Sequence, residues 1–257
     1  MSYYILKRIS FFCLLLIVFC HQTSLLANNN DSIKKEFYIP PVEYKTSIKD
    51  FILPTSLLTI GTIATLTDHK DIISWDRSGR KYDNFSWDYL LLGGVAGSMF
   101  VFDQFIEAEH KPFDQAMLLV ASAGLSMIPA YIIKESYESF RPDGTEHSFP
   151  SGHTTTGFMI AHVLNKEFRN SNIWVAYGGY VIASAVSFSR IAMNKHWVCD
   201  ILAGAGLGIL GTELAYLVYF PIRNKIAENL NRKLNKDISF NPAISTEAIG
   251  LSLNVKF

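Results

Sequence analysis

Three short polar islands interrupt a chain that is otherwise rich in apolar residues, and each carries side chains able to do chemistry. The segment SRIAMNKHWVCD runs from Ser189 to Asp200 and holds Arg190, His196 and Asp200. His196 and Asp200 are four apart, the spacing at which two side chains meet on one helix face. An aspartate that holds an imidazole fixes its tautomer and stabilises the imidazolium. Arg190 adds a planar fork of donors suited to a phosphate or a carboxylate. A buried ion pair joining two helices would use the same residue types, so this island alone leaves both readings open.

The second island, KESYESFRP, places Lys134 seven residues before Arg141, with Pro142 following. The third, FPSGHTTTG, brings Ser151, Gly152 and His153 to what reads as a helix start, with Pro and Ser first and an apolar run after. A helix N-terminus presents backbone N–H groups and a positive dipole end, and Gly152 would let an anion approach the backbone closely. Taken singly, Lys134 is an ordinary helix-end charge, Arg141-Pro142 a loop and His153 a capping histidine. Taken together they converge: three cations, two histidines, one aspartate and a Ser-Gly helix start all fall at the same kind of helix boundary.

The elements that must position them are six apolar, helix-compatible stretches. They run from Phe51 to Thr67, Tyr89 to Phe102, Ala116 to Ile133, His153 to Leu164, Ile173 to Phe188 and Ile201 to Phe220. None shows strand-like alternation, and small residues are frequent, a texture suited to closely packed helices. If successive helices alternate in direction, the ends of the third and fifth and the starts of the fourth and sixth share one side of a bundle. The three islands then meet. A membrane span needs about 20 apolar residues; most of these stretches are shorter, and His162 and Glu213 interrupt two of them. A membrane bundle of thin or tilted helices and a compact domain with very apolar central helices both fit.

The islands resemble the signature motifs of the type 2 phosphatidic acid phosphatase family, which also includes bacterial acid phosphatases and vanadium haloperoxidases. Lys134, Arg141 and Pro142 match Lys, six residues, Arg-Pro; Pro150 to His153 match Pro-Ser-Gly-His; Ser189, Arg190, His196 and Asp200 match Ser-Arg, five residues, His, three residues, Asp. The resemblance covers about Ala116 to Phe220. It implies an all-α fold, a six-helix bundle of the phosphatidic acid phosphatase type. It implies that His196 is a nucleophile forming a phosphohistidine, that Asp200 orients it, and that His153 protonates the leaving oxygen. Lys134, Arg141, Arg190 and the backbone N–H groups of Ser151 and Gly152 would bind the phosphate oxygens. Three fixed cations make a metal or other cofactor unnecessary, and no cluster with ligand spacing stands out.

The expected activity is that of an exported, metal-independent phosphatase acting on a phosphomonoester or pyrophosphate, most readily of a lipid. The alternatives are a soluble periplasmic acid phosphatase of broad specificity, a vanadium-dependent haloperoxidase, which the compact chain disfavours, and a non-catalytic helical scaffold. Expected partners are a phosphorylated lipid or small phosphate ester and a membrane. Among 257 residues, 23 Lys and Arg balance 23 Asp and Glu, so no basic excess exists for nucleic acid.

Lys7 and Arg8 precede the run ISFFCLLLIVFC, and SLLA ends at Ala27 before NNNDS, the pattern of a secretory signal peptide. The expected organisation is a signal over 1–27, a polar arm over 28–50, the helical phosphatase domain over 51–222, and a basic tail over 223–257 that includes a C-terminal β-hairpin. The hairpin rests on IGLSLNVKF, where Ile249, Leu251, Leu253, Val255 and Phe257 alternate with less apolar residues. The mature chain keeps one cysteine, Cys199, and so no internal disulfide. A cleaved signal followed by six spans would leave the islands in the cytoplasm. Yet Lys34, Lys35, Lys45, Lys49, Lys166, Arg169 and the basic tail fall on the opposite side, and the positive-inside rule gives the reverse. The expected resolution is that not all six helices span, with the domain membrane-associated and its site facing the periplasm.

Overall fold

The computed structural model describes residues 39–44, 46–67, 87–244 and 249–255. The signal-peptide reading of 1–27 and the first part of the arm lie outside the described residues. Six helices are present among those described: α1 (Ile48–Leu66), α2 (Trp87–Phe102), α3 (Pro112–Ser136), α4 (Gly152–Phe168), α5 (Ile173–Ala192) and α6 (Val198–Asp237). Each expected apolar stretch falls inside one of them, save Thr67, which is the C-cap of α1.

Two boundaries differ from the sequence reading, for local reasons. α1 starts inside the expected polar arm because Ser47 caps it: its Oγ accepts from Lys49 N–H at 3.3 Å, and its own N–H donates to Asp50 Oδ2 at 3.0 Å. This reciprocal capping box is written in the sequence as Ser-Ile-Lys-Asp, a polar signal invisible to a search for apolar runs. α6 continues past the end of its apolar run and through Pro221 to Asp237. Proline removes one helix hydrogen bond, but the residues after it are largely good helix formers.

The chain divides into two compact units, one of residues 42–223 and one of the segments flanking it. In the flanking unit, Asn231 exchanges two 3.0 Å hydrogen bonds with the Ile39 backbone: Ile39 N–H donates to Oδ1, and Nδ2 donates to the Ile39 carbonyl. The backbone of β1 (Ile238–Ile244) runs antiparallel to β2 (Ile249–Val255), with Ile238 opposite Val255. Side chains of this pair and residues 245–248 lie outside the description, so the hairpin stands as an expectation from the alternation.

In the 42–223 unit, α4 lies at the centre, packed on α5, α3 and α2. α6 reaches its neighbours through glycine. A Cβ on Gly206 would sit 2.6 Å from Leu58 N and 2.7 Å from the Pro54 carbonyl of α1. A Cβ on Gly204 would sit 2.8 Å from the Ser151 carbonyl at the entry to α4. Only residues without a side chain allow backbones this close. Away from the three islands, Leu118, Tyr216 and Phe220 form a buried cluster on which Tyr44 packs, stacked on Phe220 at 5.1 Å.

The two polar residues that interrupt the apolar stretches are each other's partners. His162 Nε2 lies 2.6 Å from Glu213 Oε1, Lys166 Nζ lies 2.7 Å from the same oxygen, and Tyr180 Oη bonds His162 Nδ1. Buried charges persist when paired and hydrogen-bonded in this way. Lys166 is only 5% exposed, which removes it from the count of loop charges that bear on topology.

Large apolar side chains nevertheless face outward. On α3 these include Phe113, Met117, Val120, Ile128 and Tyr131, and on α5 Trp174, Tyr177 and Val181. α3 and the Val198–Arg232 part of α6 are long and apolar enough to cross a membrane. At 1.5 Å per residue, the 25 residues of α3 extend roughly 37 Å, enough for a hydrocarbon core of about 30 Å.

Candidate active site

Lys134 occupies the last turn of α3. Its ammonium donates to the His147 carbonyl at 2.8 Å and the Ser148 carbonyl at 3.4 Å. His147 adopts a left-handed backbone (φ +62°), and its Nδ1 lies 3.0 Å from the Lys134 carbonyl. A carbonyl only accepts, so Nδ1 carries the proton in this contact. The first motif is thereby tied to the approach of the second.

Arg141 opens a tight turn. Its carbonyl accepts from Gly144 N–H at 2.9 Å and its N–H donates to the Thr145 carbonyl at 2.8 Å; Gly144 has φ +82°. Asp143 in this turn forms a 2.8 Å ion pair with Lys195, and Trp197 Nε1 donates to the Phe140 carbonyl at 2.8 Å. Burial alone would raise the Asp143 carboxyl, but Lys195 and Thr145 hold it down at about 2. The first loop is thus stapled to the segment that carries His196. Arg141 Nε is buried with no hydrogen-bond partner among the described residues, a costly state for a donor unless an anion meets it.

α5 ends just after Arg190 in a hydrogen-bonded C-terminal cap. Asn194 takes a left-handed conformation (φ +55°) and donates to the Ile191 carbonyl at 3.0 Å, while Lys195 N–H reaches the Arg190 carbonyl at 2.9 Å. This is the Schellman arrangement, and asparagine is among the few residues that accept that backbone. It turns the chain so that His196 follows at once. In the first turns of α6, Asp200 Oδ2 accepts from Trp197 N–H at 2.8 Å and Ser148 Oγ–H at 2.5 Å, and lies 3.4 Å from His196 Nδ1. Because Nδ1 faces the carboxylate, Nε2 is the nitrogen left to meet a substrate.

Ser151 precedes α4 as its N-cap, but its N–H donates to the Asp200 carbonyl at 3.1 Å. The expectation that this N–H binds phosphate therefore meets a competing main-chain bond. Gly152 is the first residue of the helix proper. His153 sits one residue on, where burial first, then the charges of Arg190, His196, Arg141 and Lys134, lower its pKa to about 3. Burial also lowers His196; Asp200 opposes this, and Lys134 and Arg141 add to it.

All eight residues singled out from the sequence therefore gather where α3 and α5 end and α4 and α6 begin: Lys134, Arg141, Ser151, Gly152, His153, Arg190, His196 and Asp200. Ser148, Asp143, Lys195 and Trp197 were missed. Ser148 lay within reach, two residues before Pro150, but a serine outside a motif carries no signal of its own.

Residues 115–223, the segment that carries all three motifs, match the PAP2 superfamily. Over 105 residues the chain is 39% identical to a lipid A 1-phosphatase of Porphyromonas gingivalis, covering 40% of this chain and 24% of that protein. A lipid A 4'-phosphatase of the same organism is 29% identical over 52% of this chain and 53% of its own length. A phosphatidylglycerophosphatase B of Bacillus subtilis is 28% identical over 39% of this chain and 56% of its own. The chain thus spans from about a quarter to about half of these relatives. Among solved structures, LpxE of Aquifex aeolicus aligns with TM-score 0.42 and 20% identity over 66% of this chain and 98% of that one.

Proposed function

We propose that this protein is a membrane-associated phosphatase that removes a phosphoryl group from a lipid, as a monoester or pyrophosphate, through a phosphohistidine on His196. The observation that carries the reading is the gathering of Lys134, Arg141 and Arg190 around His153 and the His196–Asp200 pair, with the Arg141 Nε donor unmet.

His196 Nε2 attacks phosphorus while the bond to the leaving oxygen breaks, and His153 delivers a proton to that oxygen. Water then attacks the phosphohistidine; His153 takes its proton, phosphate departs and His196 is restored. Asp200 keeps the proton on Nδ1 and offsets the positive charge that develops on the ring. The cations and the Gly152 N–H compensate the charge on the transferring group.

The lipid preference draws on the relatives and on the outward apolar faces of α3 and α5. Those faces support contact with acyl chains, with α3 as a candidate span and the site facing the periplasm. The phosphatase domain covers 51–222, the signal 1–27 and the arm 28–50, with the terminal hairpin in the tail over 223–257.

The test is phosphate release by purified protein in detergent, from phosphatidate, phosphatidylglycerol phosphate, undecaprenyl pyrophosphate and lipid A phosphates. Turnover of at least one is expected, undiminished by EDTA and blocked by vanadate, a mimic of five-coordinate phosphorus. Loss of turnover in EDTA with recovery on adding a divalent metal contradicts the mechanism, and no release from any of the panel contradicts the function.

A further inference from the structure

We infer that Ser148 is a positioning residue of this site, which sets the basicity and orientation of His196 through Asp200. The inference rests on the phosphatase reading for its kinetic consequence, but not for its geometry. Ser148 is fully buried, and its hydroxyl donates to Asp200 Oδ2 at 2.5 Å. That oxygen also receives the Trp197 N–H at 2.8 Å and is the one nearest His196 Nδ1, at 3.4 Å. Two donors therefore bond one carboxylate oxygen, the hydroxyl at the shorter distance, while His196 Nδ1 lies at ion-pair distance from it without a hydrogen bond. The second oxygen, Oδ1, has Cys199 Sγ at 3.8 Å, a weak donor at long range.

This sharing has a direct electrostatic result. A hydroxyl donor takes up part of the carboxylate charge, which would otherwise act on the imidazole. Ser148 thus holds Asp200 in one rotamer while moderating its pull on His196. Such moderation favours a neutral ring with the proton on Nδ1 and the lone pair on Nε2, the form a nucleophile needs. Other groups also act on the two rings: Lys134 from α3, Arg141 from the following loop, Arg190 from α5, and His153 and His196 on each other. They are cations or neutral rings, so Asp200 is the anion whose strength Ser148 controls. The backbone reinforces the role: the Ser148 carbonyl accepts from Lys134, and its N–H donates to the Ser139 carbonyl at 3.1 Å. The hydroxyl is thereby held from both ends of the loop.

Ser148→Ala removes the donor, leaving more of the Asp200 charge on His196. The His196 pKa should rise, and the acid limb of the pH–kcat/KM profile should move to higher pH by half a unit or more. kcat should fall tenfold or more with KM within threefold. Ser148→Thr, which keeps the hydroxyl, should restore most of both. The measurement is the profile on nitrophenyl phosphate, together with the His196 titration followed by 15N NMR of histidine-labelled protein. The NMR arm reads Ser148 even if the protein hydrolyses nothing, so failure of the phosphatase reading and failure of this inference are distinguishable. Should the alanine variant not purify folded, Ser148→Cys, of similar size with a weaker donor, must show the same shift at smaller amplitude. An unmoved acid limb and an unmoved His196 titration would overturn the inference, whatever happens to stability.

Discussion

The backbone N–H of Ser151 donates to the backbone carbonyl of Asp200 at 3.1 Å, joining the second and third motifs through main chain. The entry to α4 and the first turn of α6 are therefore tied directly to each other. Main-chain bonds of this kind do not depend on a rotamer, so the spacing between His153 and the His196–Asp200 pair is fixed by the fold.

That spacing depends on Gly204, one turn beyond Asp200, where a Cβ would come 2.8 Å from the Ser151 carbonyl and 3.2 Å from Thr154 Cβ. Gly204→Val should force α4 and α6 apart, costing about 1–3 kcal/mol as overpacking does, and phosphate release should fall at least tenfold. Gly124→Ala on α3, where a Cβ meets nothing within 4 Å, should retain both stability and activity. Melting in detergent and turnover of the two variants check this, and a Gly204→Val protein with wild-type rates would show that the junction does not position the site.

His153 should matter in proportion to the basicity of the leaving group. His153→Ala is expected to slow hydrolysis of an alkyl phosphate by about 10²–10⁴, the usual worth of a general acid. A nitrophenyl phosphate, whose leaving oxygen needs no proton, should lose far less. Parallel kcat/KM measurements decide it; equal losses on both substrates would remove His153 from the acid role.

Burial and the surrounding cations hold the His153 pKa at about 3, so the ring is neutral at pH 6–7 and cannot yet act as an acid. A bound phosphate dianion offsets those cations and raises the pKa, and binding should therefore take up a proton. Calorimetry of vanadate or phosphate binding in buffers of different ionisation enthalpy should show net uptake near pH 6.5, reduced in His153→Asn. The same shift has a stability sign. Below the unfolded value of about 6.5, the unfolded chain binds a proton that the folded site refuses. Stability from this group is thus full above that pH and is lost as pH falls toward about 3. Binding without proton uptake would contradict this charge balance.

The sequence made the site more legible than the scaffold that holds it. His196, Asp200, Arg190 and the Pro-Ser-Gly-His run are recognisable because chemistry demands particular atoms at particular spacings. The six helices were legible from apolar runs, but their ends were not. Ser47 and Asp50 start α1 through polar capping, and α6 passes Pro221 although its apolar run has ended. Lys166 looked like a loop charge because nothing local distinguishes a solvated lysine from one paired with Glu213, 47 residues away. The Asp143–Lys195 staple and the Ser148–Asp200 bond, each spanning 52 residues, escaped for the same reason.

Topology can be tested at Glu146, exposed in the loop that follows Arg141. Asp143 in the same loop is less suitable because Lys195 holds it. In a background lacking Cys199, Glu146→Cys should react with an impermeant maleimide in cells whose outer membrane is permeabilised and whose inner membrane is intact. Labelling only after the inner membrane is broken would place the site in the cytoplasm.

The central claim is that His196 carries the phosphoryl group. It is tested most directly by rapid acid-free quenching of the enzyme with a substrate labelled with 32P in the transferred phosphate. The wild-type protein should hold a label that is stable in alkali, labile in acid and confined to the peptide containing His196, and His196→Ala should show neither label nor turnover. Turnover that persists in His196→Ala, or a label found on another residue, would contradict the account.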